Sequence, residues 1–150
     1  MILQTTAFAN GEPIPREYSC DGENVSPPLR WSDIPEGVRS FALIMDDPDA
    51  PGGTFVHWVY FDIPHTVHEL PRGIVPTEKP AQGGTQGSNS FGKIGYGGPC
   101  PPGGEHRYYF KLYALDSELN LKAGSSKKDL LQAMDGHIVE ETQIMGTYVR

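Results

Sequence analysis

Cysteine is scarce in this chain: Cys20 and Cys100 are the only two in 150 residues. They are too few and too far apart for a zinc ribbon or a CxxC redox pair. A domain of this length can bury roughly two-thirds of its unfolded surface without a disulfide or a metal. Positive charge is thin as well. Twelve Lys and Arg stand against nineteen Asp and Glu, a net charge of −7, with no dense basic cluster. Such a balance argues against a nucleic-acid backbone or an anionic membrane surface as partner. No apolar run approaches the ~18 residues of a spanning helix, and Met1 to Phe8 lack a basic stretch followed by an apolar one. Stable membrane insertion is therefore not expected, and a cytoplasmic location is. In that setting the Asn24-Val25-Ser26 sequon carries no weight. The chain also has no internal repeat, no Gly-Lys-Ser/Thr ending to a glycine-rich stretch and no HExxH pair. These absences disfavour a nucleotide-binding enzyme and a zinc hydrolase centre.

Residues that bend the backbone are abundant. Eighteen glycines and fourteen prolines interrupt helices and mark turns, so long helical bundles are excluded. Between them, four segments rich in β-branched and aromatic residues read as strands: Ser40 to Met45, Thr54 to Ile63, Arg107 to Leu115 and Thr142 to Val149. The first is almost continuously apolar, as a strand covered on both faces or central in a sandwich would be. In the third, alternation puts Tyr108, Phe110, Leu112 and Ala114 on an inward face and Lys111 on the other. One helix is predicted after Ser125-Ser126, where a serine caps free N–H groups and Asp129 complements the helix dipole. Leu130, Leu131 and Met134 form its apolar stripe and Gly136 its end. Residues 64–104 show little periodic hydrophobicity. They read as a surface excursion within one domain covering residues 1–150, since neither flank is large enough to stand alone.

Chemically useful side chains gather at the ends of these strands. Asp46-Asp47-Pro48-Asp49-Ala50-Pro51 holds three carboxylates in a proline-stiffened turn, which by itself also describes solvated carboxylates accepting local N–H bonds. His57 lies inside the second strand, where alternation gives it the face of Phe55, Val59 and Phe61 and buries it. His106 precedes the third strand, beyond the stiff segment Gly98-Pro99-Cys100-Pro101-Pro102-Gly103. A strand-end histidine beside a rigid loop is well placed for a pocket. His65 and His68, between Pro64 and Pro71, read as solvated residues, and His137 as a fastener of the helix end. Trp31, Trp58, Tyr109 and Phe110 are expected in packing.

With their neighbours these motifs resemble the phosphatidylethanolamine-binding protein family, in particular its short bacterial and archaeal branch, the Raf kinase inhibitor-like proteins. The resemblance covers nearly the whole chain. It is carried by Tyr18-Ser19-Cys20-Asp21-Gly22 with Ser26-Pro27-Pro28-Leu29 and Trp31, by Asp47-Pro48-Asp49-Ala50-Pro51, and by His57-Trp58. Gly95 to Pro102, His106-Arg107-Tyr108, Gly136-His137 and Gly146-Thr147-Tyr148 complete it. The resemblance implies a mainly β fold: an antiparallel β-sandwich with Greek-key connections, long Gly/Pro-rich loops and a helix near the C-terminus. It also implies a small anion-accepting pocket near the surface. By that likeness Asp47, His57 and His106 line the pocket, Pro101, Pro102 and Tyr108 form its wall, and Pro51 its rim. Asp49 and Arg107 match the same motifs and are assigned to bracing the loops as an ion pair. Family members bind phosphate-like or phospholipid head groups, and many inhibit kinases or serine proteases. The implied function is thus a non-catalytic regulator that takes phosphate or phosphoethanolamine, acts on a kinase or serine protease, and needs no cofactor or metal. The short end at Arg150 leaves out the terminal helix of larger eukaryotic relatives, so Raf binding and lipid affinity are not carried over.

Two imidazoles can donate N–H bonds to an anionic oxygen, and they gain charge readily near neutrality beside an anion or Asp47. Asp47 then orients a histidine or accepts from a ligand ammonium, which fits phosphoethanolamine. The same Asp and His residues also suit a metal-independent phosphoester hydrolase, but Ser19, Ser26 and Ser88 lack the strained elbow of a nucleophile. They are adequate ligands for a divalent ion too, although no tight ligand cluster supports one. In a third reading the stiff loops at 47–53 and 97–104 dock on a protease or kinase, with the pocket as their regulator. Cys20 and Cys100 fall in two of the matched motifs and are expected to approach each other, as buried free thiols rather than a disulfide in a reducing cytosol. An exposed sheet face offers a route to a homodimer.

Overall fold

The apolar strand segments pair into two antiparallel sheets in the computed structural model, which describes all residues from Met1 to Arg150. The smaller sheet has the order β1-β2-β5, with β1 at Ile2–Gln4, β2 at Leu29–Ser32 and β5 at Glu69–Leu70. The larger has the order β6-β4-β3-β7-β8. Its strands are β3 at Ser40–Asp47, β4 at Phe55–Pro64, β6 at Thr85–Gln86, β7 at Glu105–Leu115 and β8 at Ile138–Val149. The central strand β3 is buried along its whole length, and its two faces serve two cores. Phe41, Leu43 and Met45 join Leu3, Leu29, Trp31 and Leu70 of the small sheet in one buried cluster. Ala42 and Ile44 point the other way, packing with Val59 and Phe61 beneath Leu130 and Met134 of the helix. This double cover explains the unbroken apolar run.

The helix α1 spans Lys127–Met134 and is held by a reciprocal capping box. Asp129 N–H donates to Ser126 Oγ at 3.1 Å, and Ser126 N–H donates to Asp129 Oδ2 at 3.0 Å. Gly136 follows it with φ +81°, the left-handed conformation expected of the residue that stops the helix. The predicted stripe narrows by one residue: Leu130 and Met134 are buried, whereas Leu131 is 42% exposed. The first two stand four positions apart, i and i+4, on one line of the helix, while Leu131 turns toward solvent.

Two expectations need correction. Residues 64–104 are more than a surface excursion, because Ile74, Thr85, Gln86, Asn89 and Tyr96 are buried. Gln86 binds this segment into the core. Its Oε1 accepts from Trp58 Nε1 at 2.8 Å, and its Nε2 donates to the carbonyls of Val75 and Thr77. Side-chain amides thus satisfy irregular backbone that no periodic pattern reveals. Cys20 and Cys100 are not free thiols but form a disulfide, with Cα atoms 5.4 Å apart. Cys20 N–H donates to Pro99 O at 3.0 Å, which brings the two segments side by side and within bonding reach. No helix is long and apolar enough to cross a membrane.

Candidate functional site

Asp47 ends β3 on the face that begins with Phe41, Leu43 and Met45, where the sheet runs out of apolar partners. His106 and Tyr108 stand on the corresponding face of β7, in line with Phe110 and Leu112. Asp47 Oδ2 accepts from His106 Nδ1 at 2.7 Å, and both side chains are almost wholly buried. Asp47 Oδ1 accepts the backbone N–H of Asp49 at 2.7 Å, so both carboxylate oxygens are engaged. Asp49, two residues on, reaches the opposite side of β7. It takes Arg107 in a two-pronged grip, with Nε at 2.9 Å and Nη2 at 2.8 Å, and accepts the Arg107 backbone N–H as well. The Arg107 guanidinium holds the Asp49 carboxyl down at about 2. The inner and outer aspartates therefore clasp successive residues of β7, and the proline-stiffened turn is fixed at both ends.

His57 arrives by a different route from the one alternation predicts. Met45 pairs with Trp58 and Asp46 pairs with Val56, so His57 is an extra residue on β4, a β-bulge. The bulge reverses the alternation at this point. Val59 and Phe61 lie in the core beneath the helix, whereas His57 packs with Phe55, Phe91 and Tyr108, ring centroids 5.1, 5.4 and 5.2 Å away. Its Nδ1 donates to Gly97 O at 2.6 Å. A Cβ on Gly97 would come within 2.5 Å of the Phe91 ring, so a larger residue there would push Phe91 from its place beside His57. Burial pushes the proton affinity of His57 down, only partly offset by the Gly97 carbonyl and by Asp47. Burial thus works against the charge that this ring was expected to gain beside an anion or Asp47.

These groups enclose a cavity of about 460 Å³. Asp47, His57, His106, Tyr108, Pro101, Pro102 and Pro51 all line it, so the structure brings together every residue expected there. Asp49 and Arg107 do not line it and brace its margin. Ala50, Phe55, Ser90, Phe91 and Cys100 complete the wall and were not anticipated as site residues. Phe55 was legible from its position two residues before His57, but Phe91 sits in aperiodic sequence that offers no signal. The Tyr108 hydroxyl is buried and has no hydrogen-bond partner. Burial, with Asp47 nearby, pushes its phenol upward and keeps it an O–H donor. A larger groove of about 710 Å³ runs past Thr5, Arg30, His68 and Glu69, but these side chains lie at the surface.

The remaining histidines lie elsewhere. His68 Nε2 donates to His65 O in an exposed loop, and His137 Nδ1 meets exposed Asp116 at 2.8 Å beyond the helix. No three His, Cys, Asp or Glu side chains are grouped as metal ligands.

Residues 4–149 match the sequence profile of the family described as phosphatidylethanolamine-binding protein. A UPF0098 protein of Methanothermobacter thermautotrophicus is 49% identical over 150 residues, covering 100% of this chain and 99% of the relative. A UPF0098 protein of Aquifex aeolicus is 52% identical over 153 residues, covering 100% of this chain and 89% of its own. The fold is similar to the crystal structure of a phosphatidylethanolamine-binding protein homologue from Chlamydia trachomatis. There the TM-score is 0.90 at 43% identity, over 99% of this chain and 96% of that one. YbcL of E. coli, described as a member of the mammalian PEBP family, also superposes with a TM-score of 0.90, at 34% identity over 99% of this chain and 97% of its own.

Proposed function

The chain belongs to the phosphatidylethanolamine-binding protein family, and on that premise we propose that it is a non-catalytic regulatory protein whose cavity holds the phosphate group of a small molecule such as phosphoethanolamine. The observation that carries this reading is the pair of imidazoles on one cavity wall, His57 and His106, each with Nδ1 held by Gly97 O or Asp47 Oδ2 and Nε2 left for a ligand, beside Tyr108 with its buried, unpartnered hydroxyl. Leaving such a donor unsatisfied costs about 1–3 kcal/mol, a cost that a ligand oxygen removes. Phe55, Phe91 and the three prolines give the same space apolar walls, which strengthen each polar contact made against them. Asp47 supplies an acceptor for a ligand ammonium.

Binding is favoured over phosphoester hydrolysis by the state of the available nucleophiles. Ser90, on the cavity wall, has its hydroxyl engaged by the Val56 N–H at 2.8 Å, and Cys100 is tied up in the disulfide. Neither is bonded to His57 or His106. The regulatory side of the reading rests on the rim, where Pro51 and Pro101-Pro102 present stiff loops that lose little entropy on docking to a kinase or serine protease.

Isothermal titration with phosphoethanolamine and inorganic phosphate tests the reading. Tyr108→Phe is expected to bind about tenfold more weakly than wild type while keeping its fold, one hydrogen bond to a charged group being lost. His106→Ala is expected to bind more weakly still. Equal affinity in wild type and both variants would overturn the assignment of this cavity.

A further inference from the structure

An anion entering this cavity meets no permanent positive charge. Asp47 is the one lining residue of fixed charge, and no lysine or arginine lines the wall. Arg107 is on the far side of β7 and held by Asp49. Lys111 and Lys127 hold Asp46, which points away from Asp47 along β3. Arg150 stands beyond the disulfide, paired with Asp21. Among the groups facing the space, from β3, β4, β7 and the loops, His57 and His106 are the only imidazoles.

The ring nitrogens decide how that proton is used. His57 Nδ1 faces the Gly97 carbonyl, which only accepts, so Nδ1 carries the hydrogen. His106 Nδ1 faces a carboxylate oxygen of Asp47, with the same consequence. In the neutral form of either ring Nε2 is then a bare lone pair. A fully ionised phosphate satisfies Tyr108 O–H but repels both lone pairs, whereas a hydrogen phosphate satisfies the hydroxyl and donates its own P–O–H to an Nε2.

We propose that the cavity selects a phosphate monoester in its singly protonated form, so that binding takes up a proton from solvent wherever the free ligand is a dianion. This rests on the anion-binding reading above and narrows its ligand. The proton taken up ends between a phosphate oxygen and an imidazole Nε2, with Tyr108 O–H donating to a second phosphate oxygen. Burial of His57 disfavours an imidazolium there and keeps the proton on the phosphate side. Monoesters ionise a second time near pH ~6, whereas a diester has no proton to offer at neutral pH. The diester linkage of a phospholipid head group is therefore the poorer ligand.

Titration calorimetry from pH 5.5 to 8.5, in two buffers of different ionisation enthalpy, with phosphoethanolamine and with glycerophosphoethanolamine, tests this. Phosphoethanolamine is expected to bind with uptake of about a quarter of a proton at pH 5.5 and about one proton at pH 8, its affinity falling about tenfold per pH unit at the alkaline end. The diester is expected to bind at least about tenfold more weakly at pH 6, lacking one charge-assisted hydrogen bond. Binding that is independent of pH and buffer, or a diester that binds as tightly, would overturn the proposal and leave the anion pocket standing. No binding of either compound at any pH would remove the pocket reading itself.

Asp47→Asn adds a gain that misfolding cannot imitate. The Asp49 N–H holds Asp47 Oδ1 at 2.7 Å, so an asparagine keeps its carbonyl there and turns its NH2 to His106 Nδ1. The hydrogen of that ring then moves to Nε2, which donates to phosphate without help from solvent. With methyl phosphate, a monoester that offers Asp47 no ammonium, the variant is expected to take up less proton than wild type at pH 8 and to bind more tightly there. Unchanged proton uptake in a folded variant that binds would overturn the proposal.

Discussion

Tyr108 and His57 illustrate two ways in which a single residue is prepared for a ligand and is the poorer without one. The Tyr108 hydroxyl is buried and unpartnered, so Tyr108→Phe removes an unsatisfied donor from the fold. Its stability to urea is expected to stay level or rise by about 1 kcal/mol, even though phosphate binding weakens. For His57 the sign follows from its lowered proton affinity in the fold. The unfolded chain binds the proton more readily, so the stability contributed by the neutral buried ring is present above about pH 6.5 and lost as pH falls below it. Urea unfolding at pH 7.5 and 5.0 is expected to show a larger loss in wild type than in His57→Gln; equal losses would mean that the ring titrates normally. At this scale the site was readable. Asp47, His106 and Tyr108 fall on one face by simple alternation of β3 and β7, and the prolines mark the stiff loops. The tautomers were not, because they depend on Gly97 O and on a carboxylate 59 residues away.

Among the elements, strands announced themselves best where burial follows period two, and least well where a residue is inserted. The bulge at His57 is invisible to alternation, since it depends on the pairing of Met45 and Asp46 with Trp58 and Val56. It nevertheless brings His57 to the cavity. The segment between β5 and β7 was illegible for another reason: it is held by buried amides, Gln86 and Asn89, rather than by a repeating apolar face. The helix was legible from its cap. Ser126→Ala is expected to lower stability by about 1 kcal/mol in urea unfolding, since the N-terminal N–H groups lose the capping oxygen. No change would mean that α1 is held by Leu130 and Met134 alone.

In the molecule as a whole, two sheets enclose the main core, and the cavity opens where that core ends and three loops meet. The Cys20–Cys100 disulfide ties the loop after β1 to the wall that carries Pro101 and Pro102. Composition could not reveal it, because a sequence separation of 80 residues says nothing about proximity. Closing a loop of that size is worth on the order of 4 kcal/mol in the chain-entropy account. Replacing both cysteines by serine is expected to lower the unfolding free energy by a few kcal/mol; an unchanged denaturation midpoint would show that the Cys20 N–H to Pro99 O contact alone suffices. The most direct test of the central claim, that this cavity holds a phosphate group, is a nitrogen-15 NMR titration of the histidine side chains with phosphoethanolamine at pH 7. The account predicts hydrogen on Nδ1 of His57 and His106 in the free protein, and large Nε2 shifts confined to these two rings as ligand saturates. Rings that keep their free-state Nε2 signals at millimolar phosphoethanolamine would contradict it.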